Sequence, residues 1–213
     1  MVFHIQPYEE DIVITGAKGL RKTTLAKIIL RSFKTCNYWV YDFNWKFDKD
    51  HYAIYDANVV HHLQELNATG KFIFQPFNKS KQTFEDFLEL AKTKWNLIIC
   101  IDEIHQYVKK QAYPQALYEI VMSLRNHGLS GIYISTLPSA IPNFILTNCK
   151  HVFSFRLYVK DHVKYLSEWL GSEAWQLLPK DRRPKQYTHY EELEPHRCIY
   201  RNQDSDHAEI FEV

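Results

Sequence analysis

Apolar positions in this chain fall into short runs of four or five, and between them lie segments whose apolar residues recur at helical spacing. Asp11–Thr15 is such a run. A loop containing Gly16 and Gly19 follows, and then Lys22–Phe33, where Leu25, Ile28 and Ile29 share a helical face. Asn37–Phe43 predicts a second strand that ends at Asp42 and Asn44. Residues 45–70 read as irregular, with a helix over Asn58–Leu66, and Lys71–Phe74 as a third strand closed by Pro76. Thr83–Trp95 has its apolar residues at 84, 87, 88 and 91, as in an amphipathic helix. Leu97–Ile101 is apolar throughout, which fits a strand covered on both faces.

The alternation continues. Pro114–His127 predicts a helix with proline at its start, Gly128 beyond its end, and Leu117, Ile120, Val121 and Leu124 on one face. Gly131–Ser135 and His151–Phe155 read as strands around a short helix over Pro142–Asn148. Asp161–Leu170 is a helix ended by Gly171, and Ser172–Leu178 a further short one. Residues 1–10 (Val2, Phe3, Ile5) form a lead-in strand or arm. In the tail, Pro179–Pro184 is basic and proline-flanked, and the runs Lys185–Tyr190 and Arg197–Arg201 predict an antiparallel hairpin at the sheet edge. Strands alternating with helices imply right-handed crossovers and a three-layer, mostly parallel sheet. The fold class is therefore α/β, as one domain over residues 1–213 with a C-terminal hairpin. Such a sheet binds ligands at the carboxyl ends of its strands.

Composition narrows the class. With 46% hydrophobic and 24% charged residues, the 213-residue chain reads as a globular domain with a sizeable core. Cys36, Cys100, Cys149 and Cys198 show no C-x-x-C spacing, which favours reduced thiols over a zinc site. The histidines, His61 and His62 among them, show no ligand spacing. No apolar run approaches the ~20 residues of a membrane span, and the N-terminus lacks a signal-peptide core. Net charge is +1, so a nucleic-acid surface would have to be local. Lys109-Lys110 and Lys180, Arg182, Arg183 and Lys185 are the best basic clusters for it.

The chemistry concentrates in two places. Gly16-Ala17-Lys18-Gly19-Leu20-Arg21-Lys22-Thr23-Thr24 is one residue away from the phosphate-loop pattern G-x-x-x-x-G-K-S/T. Its backbone N–H groups and the first helical turn would converge on anionic phosphate. Lys22 would reach the β- and γ-phosphates of ATP, and the Thr23 hydroxyl would hold Mg²⁺. Arg21 stands where the pattern has glycine. Either the loop tolerates it and gains positive charge near the phosphates, or nucleotide handling is altered. The second place is Leu97-Ile-Ile-Cys-Ile-Asp102-Glu103, a Walker B arrangement in which Asp102 would hold Mg²⁺ and Glu103 polarise the attacking water. Thr136, at the end of the next strand, would face the γ-phosphate or that water. Asp102-Glu103-Ile104-His105 also spells the D-E-x-H of two-domain helicases, but this length holds only one such domain.

Together Gly16–Thr23, Ile101-Asp102-Glu103, Ser123-Leu-Arg125-Asn-His-Gly128 and Ser135-Thr-Leu-Pro138 with Ile141-Pro142 resemble the FtsK/HerA superfamily of DNA-pumping ATPases. The small size resembles its viral genome-packaging members. The resemblance covers about residues 11–160. It implies a RecA-like P-loop NTPase that assembles into a ring, usually a hexamer, and moves double-stranded DNA. Capsid or membrane-vertex proteins would be further partners, in the host cytoplasm or the virion. It also implies an arginine reaching into the neighbour's site, for which Arg125 and Arg156 are candidates. Leu137 departs from the family's glutamine sensor. Two other readings stand beside this one: a P-loop kinase whose lid is Pro179–Lys185, and a nucleotide-binding assembly module in which Arg21 has spoiled turnover.

Overall fold

The strand that leads into the phosphate loop is interior on every side. In the computed structural model, which describes residues 5–47, 52–55, 70–205 and 207–213, β1 (Asp11–Thr15) pairs in parallel with β6 (Leu129–Ser135) and β7 (Cys149–Ser154). Outward from β6 come β5 (Leu97–Ile101), β2 (Asn37–Tyr41), β4 (Lys71–Gln75) and β3 (Tyr52–Tyr55), all parallel. Beyond β7 lie β8 (Arg197–Asn202) and β9 (Glu209–Glu212), both antiparallel. The order among the described residues is β3-β4-β2-β5-β6-β1-β7-β8-β9.

Period-two alternation divides the strand residues between two apolar layers. Ile12, Ile14, Tyr38, Val40, Ile98, Cys100, Ile132 and Ile134 face α1 (Lys22–Ser32), which contributes Leu25, Ala26, Ile29 and Leu30. Val13, Trp39, Tyr41, Ile99, Ile101 and Tyr133 face the other way. There they meet α2 (Lys81–Lys92), α3 (Gln115–Ser123), α4 (Asn143–Asn148) and α5 (Lys160–Leu170). The three layers expected from the alternation are present. The aromatic run of β2 is core: the Tyr41 ring lies 5.1 Å from those of Phe74, Phe84 and Phe87.

Four readings need correction. The edge hairpin is β8 with β9, whereas Lys185–Tyr187 is a 3-10 turn started by Pro184. Strand β3 lies inside the stretch read as irregular. The helix over 114–127 is shorter, passing at Leu124 into a 3-10 turn that ends before Gly128. Ser172–Leu177 is likewise 3-10. Residues 5–10 form a turn in which Gln6 N–H donates to Glu10. The helix read over Asn58–Leu66, with His61 and His62, lies outside the described residues.

Candidate nucleotide site

Because β1, β2, β5, β6 and β7 run the same way, their carboxyl ends open on one edge. The loop of residues 16–21 connects β1 to α1 there. Gly16 has φ +143°, and a Cβ on it would lie 2.6 Å from Phe155 Cβ, so only glycine passes under the end of β7. Ala17 N–H donates to Arg156 O at 2.8 Å, which braces the loop against the same segment. Lys18, Gly19 and Thr24 are exposed, and Leu20 and Thr23 half-buried. The first turn of α1 has no acidic residue and no side-chain cap, so its N–H groups and partial positive charge face the loop.

Arg21 occupies the left-handed region, φ 56° and ψ 14°, which explains why the pattern has glycine here. Its guanidinium donates to the carbonyl of Val213 and so turns toward the C-terminal hairpin. Lys22 is buried beneath the loop, its Nζ 2.8 Å from Ala17 O. Burial pulls its ammonium down to about 8, opposed by the nearby carboxylates of Glu103 and Asp102.

Both carboxylates emerge from the end of β5. Asp102 N–H donates to Tyr41 O at 3.0 Å, continuing the parallel ladder with β2. Asp102 is fully buried; Oδ2 accepts from Asn44 Nδ2 at 3.2 Å, and Oδ1 has no hydrogen-bond partner. Burial pushes its carboxyl up to about 6, against the pull of Lys46. A buried carboxylate with an unmatched oxygen, at the same strand edge as the Thr23 hydroxyl on the first turn of α1, is a donor set that fits Mg²⁺. Glu103 sits in the left-handed region at φ 54°. Its Oε2 accepts from Thr136 Oγ1 at 3.1 Å and Thr136 N at 3.3 Å, and lies 3.3 Å from His105 Nδ1. Oε1 is 4.0 Å from Lys46 Nζ.

The structure thus gathers Gly16–Thr23, Asp102, Glu103 and Thr136 on one edge. Two residues stand apart. Arg125 lies in the 3-10 turn before β6, at the opposite edge from its own phosphate loop. Arg156 is at the right edge, but its side chain pairs with Glu192. Asn44, Lys46 and Ser135 were missed. The signal for the first two was positional, since they follow β2, the neighbour of β5. Buried Asp42 folds their loop inward by accepting from Lys46 N at 2.9 Å, Phe47 N at 2.8 Å and Gln75 Nε2 at 2.9 Å. In the segment read as a lid, Arg183 is buried and donates to the carbonyls of Leu178, Tyr190, Gln176 and Glu191. Arg182 donates to Tyr158 O. Those two guanidinia are engaged with backbone, while Lys109, Lys110, Lys180 and Lys185 are exposed.

Comparison with known proteins agrees with this geometry. The family model described as "ATPase family associated with various cellular activities (AAA)" matches residues 12–157. No curated protein matches the sequence. Among solved structures, the genome packaging NTPase B204 of Sulfolobus turreted icosahedral virus 2, with sulfate, superposes at TM-score 0.74 and 14% identity, covering 97% of this chain and 98% of that one. B204 of Sulfolobus turreted icosahedral virus, a DNA-packaging ATPase, matches at 0.73 and 18%, with 98% of each chain covered. EssC ATPases 2 and 3 of Geobacillus thermodenitrificans match at 0.56 and 16%, covering 96% of this chain and 39% of theirs. The resemblance to small packaging ATPases read from the motifs is borne out at the level of the fold.

Proposed function

The chain belongs to the AAA family of ATPases, and from that premise we propose that it is an ATP-driven motor that moves double-stranded DNA, as in packaging a viral genome into a capsid. The observation that carries the hydrolytic part is the convergence of buried Lys22, Asp102 and Glu103 at the carboxyl edge of the parallel strands. The DNA part is supported by likeness of fold, over nearly the whole of both chains, to an NTPase named for genome packaging.

ATP would lie with its phosphates in the loop of residues 16–21. Loop N–H groups and Lys22 neutralise charge that develops on the γ-phosphoryl oxygens. Thr23 and Asp102 would hold Mg²⁺, which would supply further positive charge to the developing phosphate. Glu103, held by Thr136, orients a water and accepts its proton as the water oxygen bonds to the γ-phosphorus. The bond to the bridging oxygen breaks, and ADP leaves with that electron pair. Thr136 acts on Glu103 and lies beside the same water. An arginine from a neighbouring copy, Arg125 or Arg156, would complete the site in a ring, with a hexamer as the expected form. Arg125 suits this because its own loop is at the far edge; Arg156 would first have to leave Glu192. Exposed lysines at 109, 110, 180 and 185 are the candidates for tracking DNA phosphates. No helix among the described residues is long and apolar enough to cross a membrane. A place in the infected cell's cytoplasm or on the virion, beside capsid or membrane-vertex proteins, accords with this reading.

The deciding experiment is steady-state phosphate release with and without duplex DNA. Wild type should release phosphate faster with DNA, and Lys22→Ala should do so in neither condition. Release indifferent to DNA would remove the motor and leave an NTPase. Transfer to a small acceptor would favour the kinase.

A further inference from the structure

His105 lies two residues beyond the candidate base, in the 3-10 turn Ile104–Gln106, and has no part in the mechanism above. Its side chain is 6% exposed and lies between its own turn and the end of β6. Nε2 is 3.0 Å from the Gln106 side-chain nitrogen. Nε2 is also 3.4 Å from Thr136 Oγ1, a hydroxyl that can donate as well as accept; an amide nitrogen only donates, so Nε2 is the acceptor and the ring proton sits on Nδ1. Nδ1 is 3.3 Å from Glu103 Oε2 and 3.1 Å from Ser135 Oγ. Ser135 Oγ in turn accepts from Leu137 N at 3.0 Å, so the serine is itself fixed at the end of β6.

We propose that His105 is a positioning residue for hydrolysis: its Nδ1–H, in a tautomer set by Gln106, holds the Glu103 carboxylate against the end of β6 and leaves Oε1 as the oxygen that meets water. The idea rests on the reading of Glu103 as the base. Glu103 needs such a hold because it stands on left-handed backbone beyond the last paired residue of β5. A carboxylate there has free χ rotation unless side chains pin it. Thr136 Oγ1 at 3.1 Å and His105 Nδ1 at 3.3 Å both contact the same oxygen, which holds the group in place. A base displaced by about 1 Å costs up to ~10²-fold in rate.

The test compares His105→Ala, His105→Asn and His105→Gln with wild type and Glu103→Gln. Turnover, KM, nucleotide affinity by fluorescence titration and melting temperature are measured on each. Asparagine places an N–H close to where Nδ1 stands, and glutamine carries it one methylene too far. Expected is a kcat lowered about 10- to 100-fold in the Ala and Gln variants, with Asn within about threefold of wild type by the same geometric argument. KM and affinity should be unchanged in all three. If the Ala variant does not fold, the Asn–Gln pair decides. Ala and Gln turning over like wild type while Glu103→Gln is impaired would overturn this inference alone. So would an Asn variant as slow as Gln, or affinity and melting temperature falling in step with turnover. No phosphate release by wild type, or undiminished release by Glu103→Gln, would overturn the hydrolase reading and this inference with it.

Discussion

At the amino ends of β1 and β7, His151 is fully buried and both its ring nitrogens are matched: Nδ1 lies 2.9 Å from the Tyr200 hydroxyl and Nε2 2.8 Å from Glu10 Oε2. At the carboxyl end of β5, Asp102 is equally buried, yet one oxygen has no partner and its carboxyl is pushed up to about 6. The same sheet therefore treats buried charge in two ways. At one end polar groups close on each other and act as structure. At the other a carboxylate oxygen is left unmatched inside the fold, a cost that makes sense when a ligand supplies what is missing.

Breaking the open end should change chemistry, and breaking the closed end should change stability. The largest effect is expected from Glu103→Gln: phosphate release falls about 10²–10⁴-fold while nucleotide still binds, which single-turnover kinetics with a binding titration would check. Lys22→Ala should lower kcat about 10²–10³-fold by removing a charge from the developing phosphate, measured in the same assay.

Asp102→Asn sharpens the contrast because activity and stability should move oppositely. A carboxyl raised from 3.8 to about 6 favours its protonated form in the fold, so the stability it contributes is present below about 4 and is lost as pH rises through about 6. At pH 8 the nucleotide-free Asn variant should melt higher than wild type, by up to roughly 3 kcal/mol in ΔG, while turnover drops. The gain should vanish at pH 4. His151 has the other sign. Burial pulls its imidazole below the ordinary 6.5, so its contribution is present above that pH and lost as pH falls. His151→Phe should cost about 1–3 kcal/mol by removing the ring nitrogens that meet Glu10 and Tyr200, seen as a lower denaturation midpoint with unaltered kcat. The smallest effect belongs to Arg21→Gly. It relieves about 1 kcal/mol of left-handed strain and loses a hydrogen bond of similar worth. Calorimetry should show a melting shift under about 3 °C, with nucleotide affinity unchanged because the guanidinium faces Val213.

What could be read from the sequence was whatever depends on local pattern. The phosphate loop, β5 and its two carboxylates, and the face of α2 follow from spacing alone, and these position most of the candidate site; on α1 the spacing groups Ile28 with Leu25 and Ile29, but Ile28 is exposed and Ala26 and Leu30 complete the buried face. The rest depends on contacts distant in sequence. Lys46 and Asn44 reach the cleft only because Asp42, a strand-end carboxylate, gathers backbone N–H groups from its own loop. Strand β3 is four residues long, at the sheet edge, in a stretch without regular period. The hairpin was displaced because Lys185–Tyr190 has plausible strand composition, whereas Pro184 starts a 3-10 turn there and the paired partner of β8 is β9. His105 carried a motif label but no role until its ring was seen between Glu103 and Ser135.

One feature of the strand order sets a length. Because β6 separates β1 from β5, the loop of residues 16–21 and the turn that carries Glu103 begin two ladder spacings apart, about 9–10 Å at ~4.8 Å per spacing. The inserted strand therefore acts as a spacer: the separation of the two loops is built into the ladder of the sheet and does not depend on side-chain packing.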